Sequence, residues 1–133
     1  PYRGGLCAVW AEDLSRRSLF QAFKARRTYA LTDARIVLRF SVNDSPMGSE
    51  IAFIEERKIS ALVWAPSPIK EIQFLKNTEL FSRIAFSDKS IDTSRTDTVT
   101  ASATENNHSD FYHCRVVLED GNLAVSSPVW VGP

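Results

Sequence analysis

His108, Asp110, His113 and Cys114 form the one stretch of this sequence that combines imidazole, carboxylate and thiol, the side chains that bind zinc and related ions. Their order argues against a shared ion. On a strand, successive side chains point to opposite faces, so the neighbours His113 and Cys114 could not close on one tetrahedral centre. The stretch reads instead as a polar loop followed by a strand with a surface histidine. No catalytic, cofactor-binding or metal-ligating residue is expected in this chain.

The other arrangements that could do chemistry are incomplete. Serines are plentiful, but no Gly-x-Ser-x-Gly elbow occurs, and two histidines are the only candidate bases. Gly4-Gly5 is not followed by the glycines of a dinucleotide site or the Lys-Ser/Thr of a phosphate loop, so its expected role is close passage of the backbone into residues 6–10. Trp10, Trp64 and Trp130 could make a sugar platform, yet each sits in an apolar strand context where core packing is the default. Cys7 and Cys114 are expected as two small apolar core residues, with a single disulfide between them as the alternative that spacing does not decide. Tyr112 precedes Cys114 by two positions, the spacing of the tyrosine corner in immunoglobulin-like sandwiches.

The elements that would position these residues are mostly strands. Residues 6–10 are a short apolar run, expected as a buried strand. Asp13 or Ser15 can cap a helix in which Leu19, Phe20, Ala22 and Phe23 form the apolar stripe and which ends near Arg27 or Thr28. From Arg35 the period becomes two, with Ile36, Leu38, Phe40 and Val42 on one face. Asn43-Asp44-Ser45-Pro46 is a turn, residues 51–54 a short strand and 55–58 an exposed charged connection.

Further strands are expected over 59–65, around Ile72 and Phe74, over 80–86, over 98–104 and over 112–118, with loops at 87–95 and 105–110. Asp120-Gly121 before the run 123–131 predicts a type I′ hairpin. Short strands in succession without intervening helices give a mainly β fold: an antiparallel immunoglobulin-like β-sandwich preceded by one α-helix.

Composition sets broader bounds. The 133 residues suffice for one self-supporting core. An apolar fraction of 44%, a charged fraction of 24% and sixteen basic residues against sixteen acidic ones give no general attraction to nucleic acid or an anionic membrane. Residues 1–50 carry eight basic and five acidic side chains, an excess that comes from Arg16, Arg17, Lys24, Arg26 and Arg27 on the expected helix and fits a solvated face. No run of eighteen apolar residues is present. The opening Pro1-Tyr2-Arg3-Gly4-Gly5 reads as cut from a longer chain.

Several segments resemble a known group. Gly4-Gly5-Leu6, Ala8-Val9-Trp10-Ala11-Glu12 and the run from Arg26-Arg27-Thr28-Tyr29 to Ala34-Arg35-Ile36 are similar to the join in a bacterial family of unknown function within the polymerase-and-histidinol-phosphatase (PHP) superfamily. Pro46-Met47-Gly48-Ser49 and Ser126-Ser127-Pro128-Val129-Trp130-Val131 resemble its C-terminal region. Where that family would have Tyr-Ala-Thr-Thr-Gly, this chain has Tyr29-Ala30-Leu31-Thr32-Asp33.

The resemblance implies an upstream β/α barrel holding divalent metals for phosphoester-type hydrolysis. Residues 1–34 would belong to or cap that barrel, and residues 35–133 would form the sandwich. Its partners would be the barrel and further copies of the chain, with no nucleic acid and no membrane. The sandwich would be non-catalytic, serving a structural, substrate-cleft or oligomerisation role. The alternative is an autonomous immunoglobulin-like module that binds carbohydrate or protein.

Overall fold

A computed structural model describes residues 4–100 and 109–133. Its strands are β1 (Leu6–Val9), β2 (Thr28–Leu31), β3 (Val37–Val42), β4 (Ser45–Pro46), β5 (Glu50–Ile51), β6 (Glu56–Trp64), β7 (Ile69–Lys76), β8 (Glu79–Ala85), β9 (Ser90–Thr98), β10 (Asp110–Leu118), β11 (Leu123–Ser126) and β12 (Val129–Val131). One helix, α1 (Arg16–Lys24), lies between β1 and β2.

Alternation of apolar and polar residues builds two stacked sheets. In β6 the odd positions Arg57, Ile59, Ala61 and Val63 are buried and the even ones face outward. One sheet runs β4-β3-β6-β9. In the other, β10 has β7 and then β8 on one side, and β11 and β12 in succession on the other. The chain crosses between sheets from β6 to β7, from β8 to β9 and from β9 to β10. Taken in order, β3, β6, β7, β8, β9, β10 and β11 split into three strands against four, the arrangement of an immunoglobulin-like sandwich. All described pairings are antiparallel except β12 with β5.

The core lies between the sheets, where Leu38, Phe40, Ile59, Ile72, Phe74, Tyr112, Cys114 and Val116 are almost fully buried. Phe40 and Phe74 meet across the layers with ring centroids 6.2 Å apart. Ile69 and Ile72 both point inward although three residues apart, because the β7–β10 register shifts between Val117 and Leu118 and leaves Lys70 as an extra residue.

Turn chemistry follows the residues. Asn43-Asp44 and Asn77-Thr78 are two-residue connections with positive φ at both positions, as a type I′ hairpin requires. Asp120-Gly121 differs from the expected type I′ turn. Gly121 N–H donates to Leu118 O, Leu118 N–H donates to Asn122 O, and only Gly121 has positive φ, so this is the three-residue hairpin with a glycine bulge.

The first residues extend the larger sheet. β2 pairs with β11, and β1 pairs with β2. Side chains from this segment also satisfy the free edge of β3. The Tyr29 hydroxyl donates to Ile36 O at 2.9 Å and accepts from Leu38 N–H at 3.4 Å, and the Trp10 indole donates to Leu38 O at 2.8 Å.

Several local expectations are corrected. β1 is exposed to half-buried rather than buried, because nothing described covers its outer side. The helix is capped by Ser15, whose hydroxyl accepts from Ser18 N–H, but it ends at Lys24, and residues 28–31 are strand. Of its expected apolar stripe only Ala22 is buried, while Phe20 and Phe23 are exposed. Residues 55–58 are not a connection: β6 begins at Glu56, and Arg57 is fully buried. The expected strand at 51–54 is confined to Glu50–Ile51, where β12 provides a partner.

Residues 90–95, part of the loop expected over 87–95, belong to strand β9 (Ser90–Thr98), because the backbone of β6 offers it a continuous ladder. Val99 and Thr100 are not strand, and the rest of the expected strand at 98–104 lies outside the described residues, as does the loop at 105–108.

The passage after β4 is fixed by close approach. Gly48 has φ of +91°, and a β-carbon there would stand 2.3 Å from Ala25 O and 2.5 Å from Arg26 O at the end of α1. Both conformation and space demand glycine. Gly48→Ala is therefore expected to lower unfolding free energy by about 2–3 kcal/mol, measured by urea titration.

Candidate functional site

Three features of the surface and interior could carry function: a cleft beside the N-terminal segment, an exposed apolar face and a buried polar network. The cleft, of about 440 Å³, opens where the turn after β1 meets β3 and β4. Phe40 and Met47 give it apolar lining, and Trp10, Glu12, Arg27, Arg39 and Asp44 contribute polar and aromatic groups. The Arg39 guanidinium stacks over the Trp10 ring, 4.2 Å from its centroid. Arg27 follows α1 in sequence, and its Nε is buried with no hydrogen-bond partner among the described residues.

The apolar face belongs to the N-terminal segment. Leu6, Leu14, Phe20 and Phe23 are 50%, 91%, 66% and 53% exposed. Phe20 and Phe23 stand three residues apart and share one side of the helix. On the outer face of the smaller sheet Val37, Leu62 and Trp64 are also exposed; Trp64 lies directly opposite Val37.

The polar network sits inside the sandwich. The Arg57 side chain comes from β6, and its Nη1 donates to Asp110 Oδ2 at 2.5 Å and to the Tyr112 hydroxyl at 2.9 Å, both on β10. Its Nε donates to Ile54 O at 2.8 Å. Tyr112 donates to Asp97 Oδ2 on β9 at 2.7 Å, and the Lys76 ammonium on β7 pairs with the same oxygen at 2.7 Å. Asn77 donates to Asp110 Oδ1. All four long strands of the sandwich centre thus meet at one end.

Electrostatics follow from this packing. Burial opposes ionisation of Asp97, but Lys76 and the Tyr112 hydroxyl outweigh it and hold the carboxyl below its ordinary range. Burial is likewise outweighed at Asp110, here by Asn77 and Arg57. Burial and the Asp97 acceptor push the Tyr112 phenol far up. Arg57 stays charged despite burial because Asp110 and Tyr112 accept hydrogen bonds from it. These groups are locked as ion pairs, which suits architecture rather than proton transfer.

The residues first considered for a metal are dispersed. Asp110 is committed to Arg57 and Asn77. His113 is half-buried beside Phe111; burial lowers its pKa, and its Nδ1 has no hydrogen-bond partner among the described residues. Cys114 points the other way, into the core, where burial pushes its thiol far up. His108 lies outside the described residues. Among the described residues no three His, Cys, Asp or Glu side chains could hold an ion. No described helix is long and apolar enough to cross a membrane.

Three other expectations change. Cys7 is exposed, not core. Trp64 is half exposed, and Trp10 and Trp130 are half-buried under Arg39 and Arg26 respectively. Tyr112 occupies the tyrosine-corner position on β10, but its hydroxyl reaches Asp97 instead of backbone. Sequence reasoning missed Arg57, whose signal was its phase: it shares the inward parity of Ile59, Ala61 and Val63.

Comparison with known proteins agrees with a bacterial group of unknown function. Residues 2–51 match the family described as "Protein of unknown function (DUF3604)". The chain is 32% identical over 142 aligned positions to an uncharacterised protein of Chlamydia pneumoniae, covering 98% of this chain and 23% of that protein. An uncharacterised protein of Chlamydia trachomatis serovar D shows the same identity and coverage. The chain thus spans about a quarter of the length of the curated relatives it matches. Among solved structures, the fibronectin(III)-like modules of Clostridium thermocellum CbhA align with TM-score 0.45 and 18% identity, over 69% of this chain and 93% of that one.

The network predicts a stability pattern. Arg57→Met leaves the Asp110 carboxylate without its cation, and the unfolding free energy should fall by about 3 kcal/mol; adding Asp110→Asn should recover part of it. Acid should act in two stages. Neutral His113 favours the fold above its ordinary value of 6.5, a contribution lost as pH drops below it. Asp97 and Asp110, held low, contribute above 3.8 and lose that contribution as pH falls further. In denaturant midpoints measured against pH, His113→Phe should remove the upper stage and Asp97→Asn should diminish the lower one.

Proposed function

We propose that this chain is a non-catalytic sandwich module of a longer protein, docked through β1 and α1 onto the part that precedes it. The observation that carries this reading is the grouping of Leu6, Leu14, Phe20 and Phe23, four large apolar side chains left half or more exposed within the first twenty-three positions. Fully burying one such side chain stabilises by about 1.5–3 kcal/mol, so a covering partner gains substantially. The much greater length of the chlamydial relatives supports a covering partner within the same polypeptide. In the finer form of this reading the preceding part is a PHP-like barrel whose divalent metals activate water for phosphoester hydrolysis, and residues 1–34 serve as its cap.

The supporting test compares the isolated chain with the longer protein. Phe20→Glu combined with Phe23→Glu should lower the melting temperature of the longer protein by several degrees while leaving the isolated chain's unfolding unchanged. Equal effects in both would refute docking through α1. For the finer form, the encoded sequence upstream of Pro1 should contain a His-x-His pair with further His and Asp motifs, and divalent-metal-dependent phosphoesterase activity should belong to the longer protein alone. Activity in the isolated chain would overturn the assignment.

Exposed Trp64 favours a second reading. With Leu62 and Val37 it gives the outer face of the smaller sheet a flat apolar patch of the kind a carbohydrate or protein ligand can cover. In an autonomous binding module Trp64→Ala would abolish ligand binding and the Phe20/Phe23 substitutions would not.

A further inference from the structure

The cleft beside the N-terminal segment has features that neither docking nor sandwich stability uses. Arg27 and Arg39 both line it, and neither forms an ion pair among the described residues, where Arg39 stacks on Trp10. The Arg27 Nε is shielded from solvent and has no acceptor among the described residues, so a ligand in the cleft meets this guanidinium through its outer nitrogens. A guanidinium lining a cleft is best met by an oxyanion, which can accept two parallel bonds from it. The carboxylates of Glu12 and Asp44 line the same cleft but form no ion pair with either arginine. Met47, Phe40 and the Trp10 ring give the remaining wall an apolar character.

The volume of about 440 Å³ is well above that of a bare inorganic ion and falls in the range of small-molecule sites. We propose that the cleft binds a small organic oxyanion, a phosphate monoester or carboxylate carried on an apolar or aromatic body. Its charged end lies against Arg27 and Arg39, and its body against Trp10 and Met47. Glu12 and Asp44 line the same cleft and repel a doubly charged phosphate monoester more than a singly charged carboxylate, so they weight the site toward the carboxylate. The inference concerns binding only and holds whether or not the chain docks onto a barrel.

The test titrates the 133-residue chain, labelled with nitrogen-15, with phenyl phosphate, benzoate and uncharged benzyl alcohol. The expected result is saturable movement of the Arg27 and Arg39 Nε–H and Trp10 indole resonances with at least one of the two anions, and about ten-fold weaker response to benzyl alcohol. Whichever anion binds more tightly identifies the headgroup. Arg27→Gln should weaken binding by about ten-fold, and Glu12→Gln should tighten it by a few-fold. Should Arg27→Gln fail to fold, Arg39→Gln, on an exposed strand position, supplies the same comparison with a smaller loss. The proposal is overturned if neither anion gives saturable shifts, if benzyl alcohol binds equally well, or if folded arginine variants bind the anions as tightly as the original chain.

Discussion

A single guanidinium governs how the two layers of this sandwich meet. Arg57 enters the interior from β6 at a position that alternation assigns to an apolar residue, and it is completely buried. A charge in that environment is tolerable only with close counter-charges and full hydrogen bonding. Asp110 and Tyr112 on the facing sheet, together with Ile54 O, supply both. Because the bonds are directional, they fix the stagger of one sheet against the other at this end. Hydrophobic contacts among Phe40, Phe74 and Ile72 could tolerate small slides; a guanidinium held on three acceptors cannot.

The same network sets the behaviour of its neighbours. The Tyr112 hydroxyl accepts from Arg57 and donates to Asp97, and Asp97 in turn holds Lys76, so the bonds of this chain polarise one another. The sandwich has a free, buried Cys114 and no disulfide among its described residues; cross-layer tethering comes from this polar chain. Its proton affinities are shifted so that the acids stay ionised and the phenol neutral well beyond their ordinary ranges, the condition of a structural clamp.

At the other side of the larger sheet, the N-terminal segment works in two directions. Inward, β2 completes the ladder of β11, and Tyr29 and Trp10 cap the open edge of β3. An unprotected edge would invite pairing with another chain, so this contact protects the fold. Outward, the segment presents Leu14, Phe20 and Phe23 to solvent. The cleft between Trp10, Arg27 and Arg39 exists because the segment reaches β3 at its edge and leaves a gap above Met47.

Local pattern determined a good deal from sequence alone. The two-residue period over 36–42 and 112–118, the Ser15 cap, the turn at Asn43-Asp44 and the overall β-sandwich with one helix all follow from spacing and backbone preference, which act over a few residues. Those properties did not reveal β9, whose Ser, Thr and Asp residues become a strand only because β6 offers its backbone as a template. They grouped Phe20 and Phe23 with Ala22 in one apolar stripe, of which only Ala22 is buried, and they left Arg57 in an exposed connection. Burial, ion pairing and the convergence of Trp10, Arg27 and Arg39 require residues far apart in sequence to share one location. That proximity is a product of sheet stacking, and only the tertiary structure decides it.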